Sequence, residues 1–220
     1  MIGPVQSTVH HPLFARFFSW VVSPLLEHEL AGLRAQLLEG LHGRVLEIGA
    51  GGGPNFAHYP ASVDEVVAYE PEPYLRERAL RSAAAAPLRV SVRAGRAERL
   101  AETDASFDAA VAGLVLCSVE DQRAAVEELR RVLVPGGELR FLEHVRHRQP
   151  RRRLAQAALD RSGIWPLAGG GCHCARDTAA TIEAGGFQLQ TVRELTLGPA
   201  WSPANPFLLG TARAPAASGR

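Results

Sequence analysis

Apolar residues change their spacing along this chain, recurring every three or four positions near the amino end and gathering into short runs beyond residue 43. Leu26, Leu30, Leu33 and Leu37 fall on one helix face, after Ser23 and Pro24, which suit an N-cap and a first helical position, and before Gly40. The spacing predicts a helix there. Ahead of it, Leu13, Phe14, Phe17, Phe18, Trp20, Val21 and Val22 predict a second, densely apolar helix that packs as core, covers a ligand pocket or touches lipid. From residue 44 the runs RVLEI (44–48), EVVAY (65–69), RVSVR (89–93), FDAAVA (107–112) and ELRFLE (138–143) read as strands, separated by Gly-rich turns or helical stretches. The helical stretches include 73–86 and 121–133, the latter carrying Val126, Leu129 and Leu133 on one face. A helix over 177–184 stops at Gly185 and Gly186, and two further strand-like runs follow at 187–196 and 207–213. Strands alternating with helices imply a parallel sheet.

With 220 residues there is room for one domain with a sizeable core. The 24 Lys and Arg nearly cancel the 23 Asp and Glu, so bulk charge gives no reason to expect a nucleic-acid partner. The exception is the arginine run at 146–153, which reads as a solvated loop and helix start or, more sharply, as a patch for weak peripheral membrane contact or an anionic substrate. Cys117, Cys172 and Cys174 form no disulfide framework and point to a reducing compartment, the cytoplasm. The apolar stretch at 12–26 contains Arg16 and Pro24 and is shorter than a membrane span. The tail APAASGR is small and polar enough to be disordered.

The chemistry centres on VLEIGAGGGPN (45–55), a buried strand holding Glu47 that runs into a turn with Gly49, Gly51 and Gly53. Such a backbone admits close approach of a nucleotide-like ligand. A dinucleotide fingerprint wants a third glycine three positions after the second, where this chain has Pro54, and Glu47 suits a cationic amino acid better than a pyrophosphate. Glu70, ending the second strand, is placed to accept hydrogen bonds from both hydroxyls of a ribose.

In order along the chain, LEIGAGGG, YEP, AGRAERL, ASFDAAVAGLVLCSV and LRRVLVPGGELRFLEH resemble the motifs of the class I S-adenosylmethionine methyltransferases, over 44–143 and more loosely to 213. The resemblance implies an α/β fold, a Rossmann-like doubly wound, seven-stranded, mostly parallel sheet with amino-terminal helices. It divides the chain into an amino-terminal helical lid or cap (1–43), a methyltransferase domain (44–214) and a tail (215–220). S-adenosylmethionine is the implied cofactor. Its methionine part would lie along Gly49, Ala50, Gly51 and Gly53 with Glu47 and Asn55, its ribose on Glu70, and its adenine against Pro71, Gly95, Arg96, Ala97, Glu98, Gly113 and Leu114, with Cys117 in the turn beyond. One departure stands out: Arg96 occupies the place where many relatives have an acid that binds the adenine amino group.

Within the class, GLVLCSVEDQ, FLEHV and GGCHCARDTAATIEAGGF look similar to the alkyl thiol methyltransferases and, less closely, to the ubiquinone and menaquinone C-methyltransferases. A small-molecule thiol is therefore the leading acceptor, with Phe14, Phe18, Trp20, Cys117, His144, His173 and Trp201 as candidate pocket residues. A thiol needs no strong base, whereas a phenol or carbon acid does, and His144 and then Glu143 are the candidates for it. Cys117, His144, Cys172, His173 and Cys174 offer zinc-type donors, but CHC lacks the usual two-to-four-residue spacing, and no metal is expected. Two other readings stand beside methyl transfer: O- or C-methylation of a phenol or quinol, and a non-catalytic nucleoside-binding module on the same fold.

Overall fold

A computed structural model describes residues 23–216. The amino-terminal aromatic residues Phe14, Phe18 and Trp20, and the end of the tail, lie outside the described residues. The elements run in the order α1 (Ser23–Leu38), β1 (Gly43–Ile48), β2 (Val63–Tyr69), α2 (Pro73–Ala84), β3 (Val90–Arg93), β4 (Phe107–Gly113), α3 (Gln122–Val132), β5 (Leu133–His144), α4 (Pro150–Arg161), α5 (Ile164–Ala168), α6 (Thr178–Ala184), β6 (Gln188–Leu195) and β7 (Phe207–Arg213).

Seven strands form one sheet in the order β3-β2-β1-β4-β5-β7-β6. The first five are parallel, while β7 runs antiparallel to both β5 and β6. The expected doubly wound, mostly parallel sheet is therefore present. Its two faces explain the near-continuous apolar strands. Leu46, Ile48, Ala110, Ala112, Leu139 and Phe141 bury one face under α3 and α6, and Val45, Val66, Ala68, Val111 and Leu142 bury the other under α1 and α2. A strand covered on both sides gains nothing from polar alternation.

Helix α3 follows from capping and amphipathicity together. Asp121 accepts the N–H groups of Arg123 and Ala124, and Ala125, Val126, Leu129 and Val132 form its buried stripe. Each larger apolar side chain there contributes about 1.5–3 kcal/mol by burial. Leu133, assigned to the helix by spacing, instead begins β5. Helix α1 buries Leu30, Leu37 and Leu38 against the sheet, so this part of the expected cap is a layer of the core. Helix α4 begins at Pro150, inside the arginine run read as a loop and helix start, while its extent and all of α5 went unread because their exposed faces give the sequence no apolar stripe. Among the described residues, no helix is long and apolar enough to cross a membrane.

Candidate functional site

The chain winds outward through β1, β2 and β3 and then returns to start β4 on the other side of β1, which opens a crevice at the carboxyl ends of β1 and β4. Register makes that edge even. Ile48 pairs with both Tyr69 and Ala112, so the Gly-rich turn, Glu70 and Gly113 emerge side by side.

The turn is shaped by two glycines with opposite surroundings. At Gly49 (φ +61°) a Cβ would sit 2.2 Å from the Val115 side chain, so this glycine lets the β1 turn touch the turn after β4. At Gly51 (φ +56°) a Cβ would meet nothing within 4 Å, and the open space beside the backbone suits a ligand. The Gly51 N–H donates to Glu70 Oε2 at 2.8 Å, and the Glu72 N–H donates to Glu70 Oε1 at 2.9 Å. Each oxygen keeps a further lone pair for a ribose hydroxyl. Glu70 is 5% exposed, and burial pushes its carboxyl above the usual range despite these two bonds.

Glu47, behind the turn, is buried. It accepts from Asn55 Nδ2 at 2.8 Å and from the Tyr59 hydroxyl at 2.7 Å, and Arg34 on α1 donates to Asn55 Oδ1 at 3.2 Å. Burial pushes its carboxyl up to about 7, with Tyr59, Asn55 and Arg34 pulling the other way. Neither Tyr59 nor Arg34 was legible as a site residue. Tyr59 lies in the turns between β1 and β2, and only the fold brings α1 back across β1.

The adenine-side expectations divide. Pro71 and Gly113 flank the crevice as the strand order requires, and Leu114 holds a left-handed conformation (φ +59°) while its N–H donates to Leu142 O at 2.7 Å. A non-glycine residue in that region costs about 1–3 kcal/mol and marks functional turns. Arg96 pairs with Glu98 and Glu120, and Glu98 also accepts the Glu120 N–H at 2.8 Å and the Asp121 N–H at 3.3 Å. Although burial acts to raise it, the Arg96 guanidinium and the N–H groups of Glu98 itself and Asp121 hold Glu98 below the usual carboxylate range. Glu98 thus braces the start of α3. Gly95 lies against the Tyr69 ring and Ala97 is buried.

At the acceptor end, Glu143 is fully buried, and its carboxylate accepts the N–H groups of Val115, Leu116 and Cys117 at 2.9, 2.8 and 3.1 Å. Burial raises its pKa strongly, but three backbone donors occupy it. Glu143, the second base candidate, thus braces the turn after β4. His144 meets Phe207 edge-on at 4.3 Å and lies 3.0 Å through Nδ1 from Cys172 Sγ. The ligating atoms of Cys117, His144 and Cys172 all fall within 4.8 Å of one another. The adjacent Cys172 thiol, burial and the electrostatics of Cys172 push the Cys117 thiol well up, and Cys117 in turn raises His144 against the opposing effect of burial.

The remaining candidates turn elsewhere. His173 directs its ring toward Asp160 at 3.9 Å, although its N–H donates to Cys117 O at 2.8 Å, and Cys174 donates to Asp160 Oδ1 at 3.4 Å. Trp201 is 80% exposed on a segment held to α4 by Arg152, which donates to Ala200 O at 3.0 Å. It walls no pocket among the described residues, because the turn carrying it is anchored by its backbone and faces solvent. Gln156 was missed altogether. A buried residue of α4 itself, it accepts the His147 N–H at 2.6 Å and donates to Pro203 O and Asn205 O at 3.0 Å each, tying α4 to the loop before β7.

The profile of the methyltransferase-domain family matches residues 46–141. The chain is 36% identical to the thiol S-methyltransferase TMT1B of Mus musculus, over 80% of this chain and 73% of that one. It is 32% identical to TMT1B of Homo sapiens, over 91% and 87%. Among solved structures, the N-methyltransferase NodS of Bradyrhizobium japonicum in complex with S-adenosyl-L-homocysteine superposes with a TM-score of 0.61 at 24% identity, over 86% of each chain.

Proposed function

Since the chain belongs to the thiol S-methyltransferase family of the S-adenosylmethionine-dependent methyltransferases, we propose that it methylates the sulfur of a small hydrophobic thiol. The observation carrying this reading is the match to the human relative, whose 91% coverage takes in elements beyond the cofactor-binding half. S-adenosylmethionine brings a methyl group already activated on a sulfonium. The protein therefore needs chiefly to hold the acceptor in line and keep water out. Gly49, Ala50, Gly51 and Gly53 would cradle the methionine part, with Glu47 and Asn55 behind them. Glu70 would take the ribose, and Pro71, Ala97, Gly113 and Leu114 would border the adenine.

Glu143 sets the turn that presents Cys117, and His144 stands beside it at the end of β5. A thiol ionises readily enough to proceed without a strong base. The amino-terminal Phe14, Phe18 and Trp20 complete this reading as a hydrophobic cover for the acceptor.

The same reading places a weak membrane-surface contact on α4 and α5. Arg151, Arg152 and Arg153 stand beside Leu154 (65% exposed), with Ile164 and Leu167 exposed on α5. Three unpaired cysteines agree with a reducing compartment such as the cytoplasm.

The test is product mass after incubation with matched thiol, phenol, amine and quinol acceptors. Methylation is expected on the thiol. Turnover confined to the other acceptors overturns the thiol assignment, and cofactor binding without turnover on any of them favours a non-catalytic module.

A further inference from the structure

Three donors from distant parts of the chain meet in one place. Cys117 comes from the turn after β4, His144 from the end of β5 and Cys172 from the loop after α5. In a tetrahedral zinc site, with metal–sulfur distances near 2.3 Å and metal–nitrogen distances near 2.0–2.1 Å, donor atoms stand about 3.5–3.8 Å apart. Here all three lie within 4.8 Å, so modest side-chain rotation brings them to that spacing.

The backbone already holds them. Cys117 donates its N–H to Glu143 and accepts the His173 N–H, which fastens the Cys172 loop to the β4 turn. Cys172 donates its own N–H to Gly169 O at 3.2 Å, and His144 is fixed by its strand pairing with Phe207. Such outer support is what a metal site needs to keep its ligands oriented. The donor set also selects the ion: two sulfurs and an imidazole suit zinc-class ions and suit magnesium or calcium poorly. Cys117 and Cys172 are 1% and 4% exposed, placing both thiols out of bulk water.

We propose that Cys117, His144 and Cys172 bind one zinc-class divalent ion, with the fourth tetrahedral position left to an exogenous ligand. Resting on the thiol reading above, that ligand is the acceptor. Cys117 and Cys172 would each release a thiol proton on taking up the ion, and the acceptor would lose its S–H proton to solvent and be held through its sulfur as thiolate. That sulfur then forms the new S–C bond as the methyl's bond to the sulfonium breaks, the bonding pair staying on the donor sulfur. No oxidant or reductant is required, and the thioether formed is a weaker ligand that leaves. His144 thereby acts as a ligand and not as a base.

The experiment uses the full chain purified under reducing conditions. Bound metal is measured by mass spectrometry, followed by chelation and reconstitution with cobalt(II). One equivalent of zinc is expected, together with a thiolate-to-cobalt charge-transfer band of two-sulfur intensity. Cys117→Ser, Cys172→Ser and His144→Ala should each weaken metal binding by more than the roughly 10–100-fold that follows loss of an outer-shell partner. Cys174→Ser should retain the ion. Far-ultraviolet circular dichroism reports whether each variant is folded, and the cobalt spectrum of the unaltered chain decides the matter without variants.

Metal uptake no greater than in a variant carrying Cys117→Ser, Cys172→Ser and His144→Ala together overturns the site, as does a Cys117–Cys172 disulfide in its place. If cobalt binds but a small hydrophobic thiol leaves its visible spectrum unchanged, the fourth-ligand assignment fails. These spectral results are separate from the acceptor panel, so the metal site and the thiol reading fail independently.

Discussion

At pH 5, the affinity for S-adenosylhomocysteine should be about 100-fold weaker than its alkaline plateau, because its ammonium group would need Glu47 ionised. Burial sets the Glu47 carboxyl at about 7 in the free protein. Two pH units below that, roughly one molecule in a hundred carries the anion, a cost of about 2.7 kcal/mol. Binding in this range should release a proton, visible in calorimetry as a heat that changes with the ionisation enthalpy of the buffer. Above pH 7 to 8 the affinity should level off. Glu47→Gln keeps an acceptor for Asn55 but cannot ionise, so its affinity should be lower at pH 8 and flat with pH.

The same shift carries a stability consequence of definite sign. The folded value lies above the ordinary value of 4.5, so the native state binds more protons between them, and the cofactor-free protein loses stability as pH rises from 4.5 to 7. The full loss is about 3 kcal/mol. Thermal unfolding of the free chain should show it, and Glu47→Gln should remove this part of the slope while the raised Glu70 and Glu143 keep theirs. A pH-independent affinity in the unaltered protein, or an undiminished slope in Glu47→Gln, would refute the reasoning.

Three other outcomes are expected. Glu70→Gln should weaken S-adenosylhomocysteine in titration calorimetry more than Glu98→Gln, which should chiefly lower the melting temperature by loosening Arg96 and the start of α3; equal affinities defeat the ribose assignment. Gly51→Ala should destabilise the fold by about 1–2 kcal/mol through its left-handed backbone and should also weaken the cofactor by filling the open space, whereas a loss of stability with unchanged affinity places the ligand elsewhere. Deleting residues 1–22 should impair turnover on the acceptor more than cofactor binding, and equal retention of both removes the proposed cover.

Much of the architecture was legible because it rests on local rules. Apolar runs bounded by glycine turns marked the strands, and the apolar stripe on α3 marked that helix. The β1 turn was legible for the same reason, since Gly49 and Gly51 occupy conformations that other residues resist. Helix α4 was legible only as a helix start and α5 not at all, because their mostly exposed faces leave little periodic signal.

For the site, the chain's order of residue types determined that a strand-ending acid, a Gly-rich turn and a second acid on β2 would meet at one sheet edge, since parallel strands align their carboxyl ends. Tertiary structure alone decided what those groups do there. It occupied Glu143 with three backbone N–H groups, gave Glu98 to Arg96, and set Tyr59 and Asn55 on Glu47. It also gathered Cys117, His144 and Cys172 from positions 27 and 28 residues apart, as the register of β4 on β5 and the bond from His173 to Cys117 bring them together. Spacing along a chain reveals a donor set only when neighbouring residues supply it; here the sheet does.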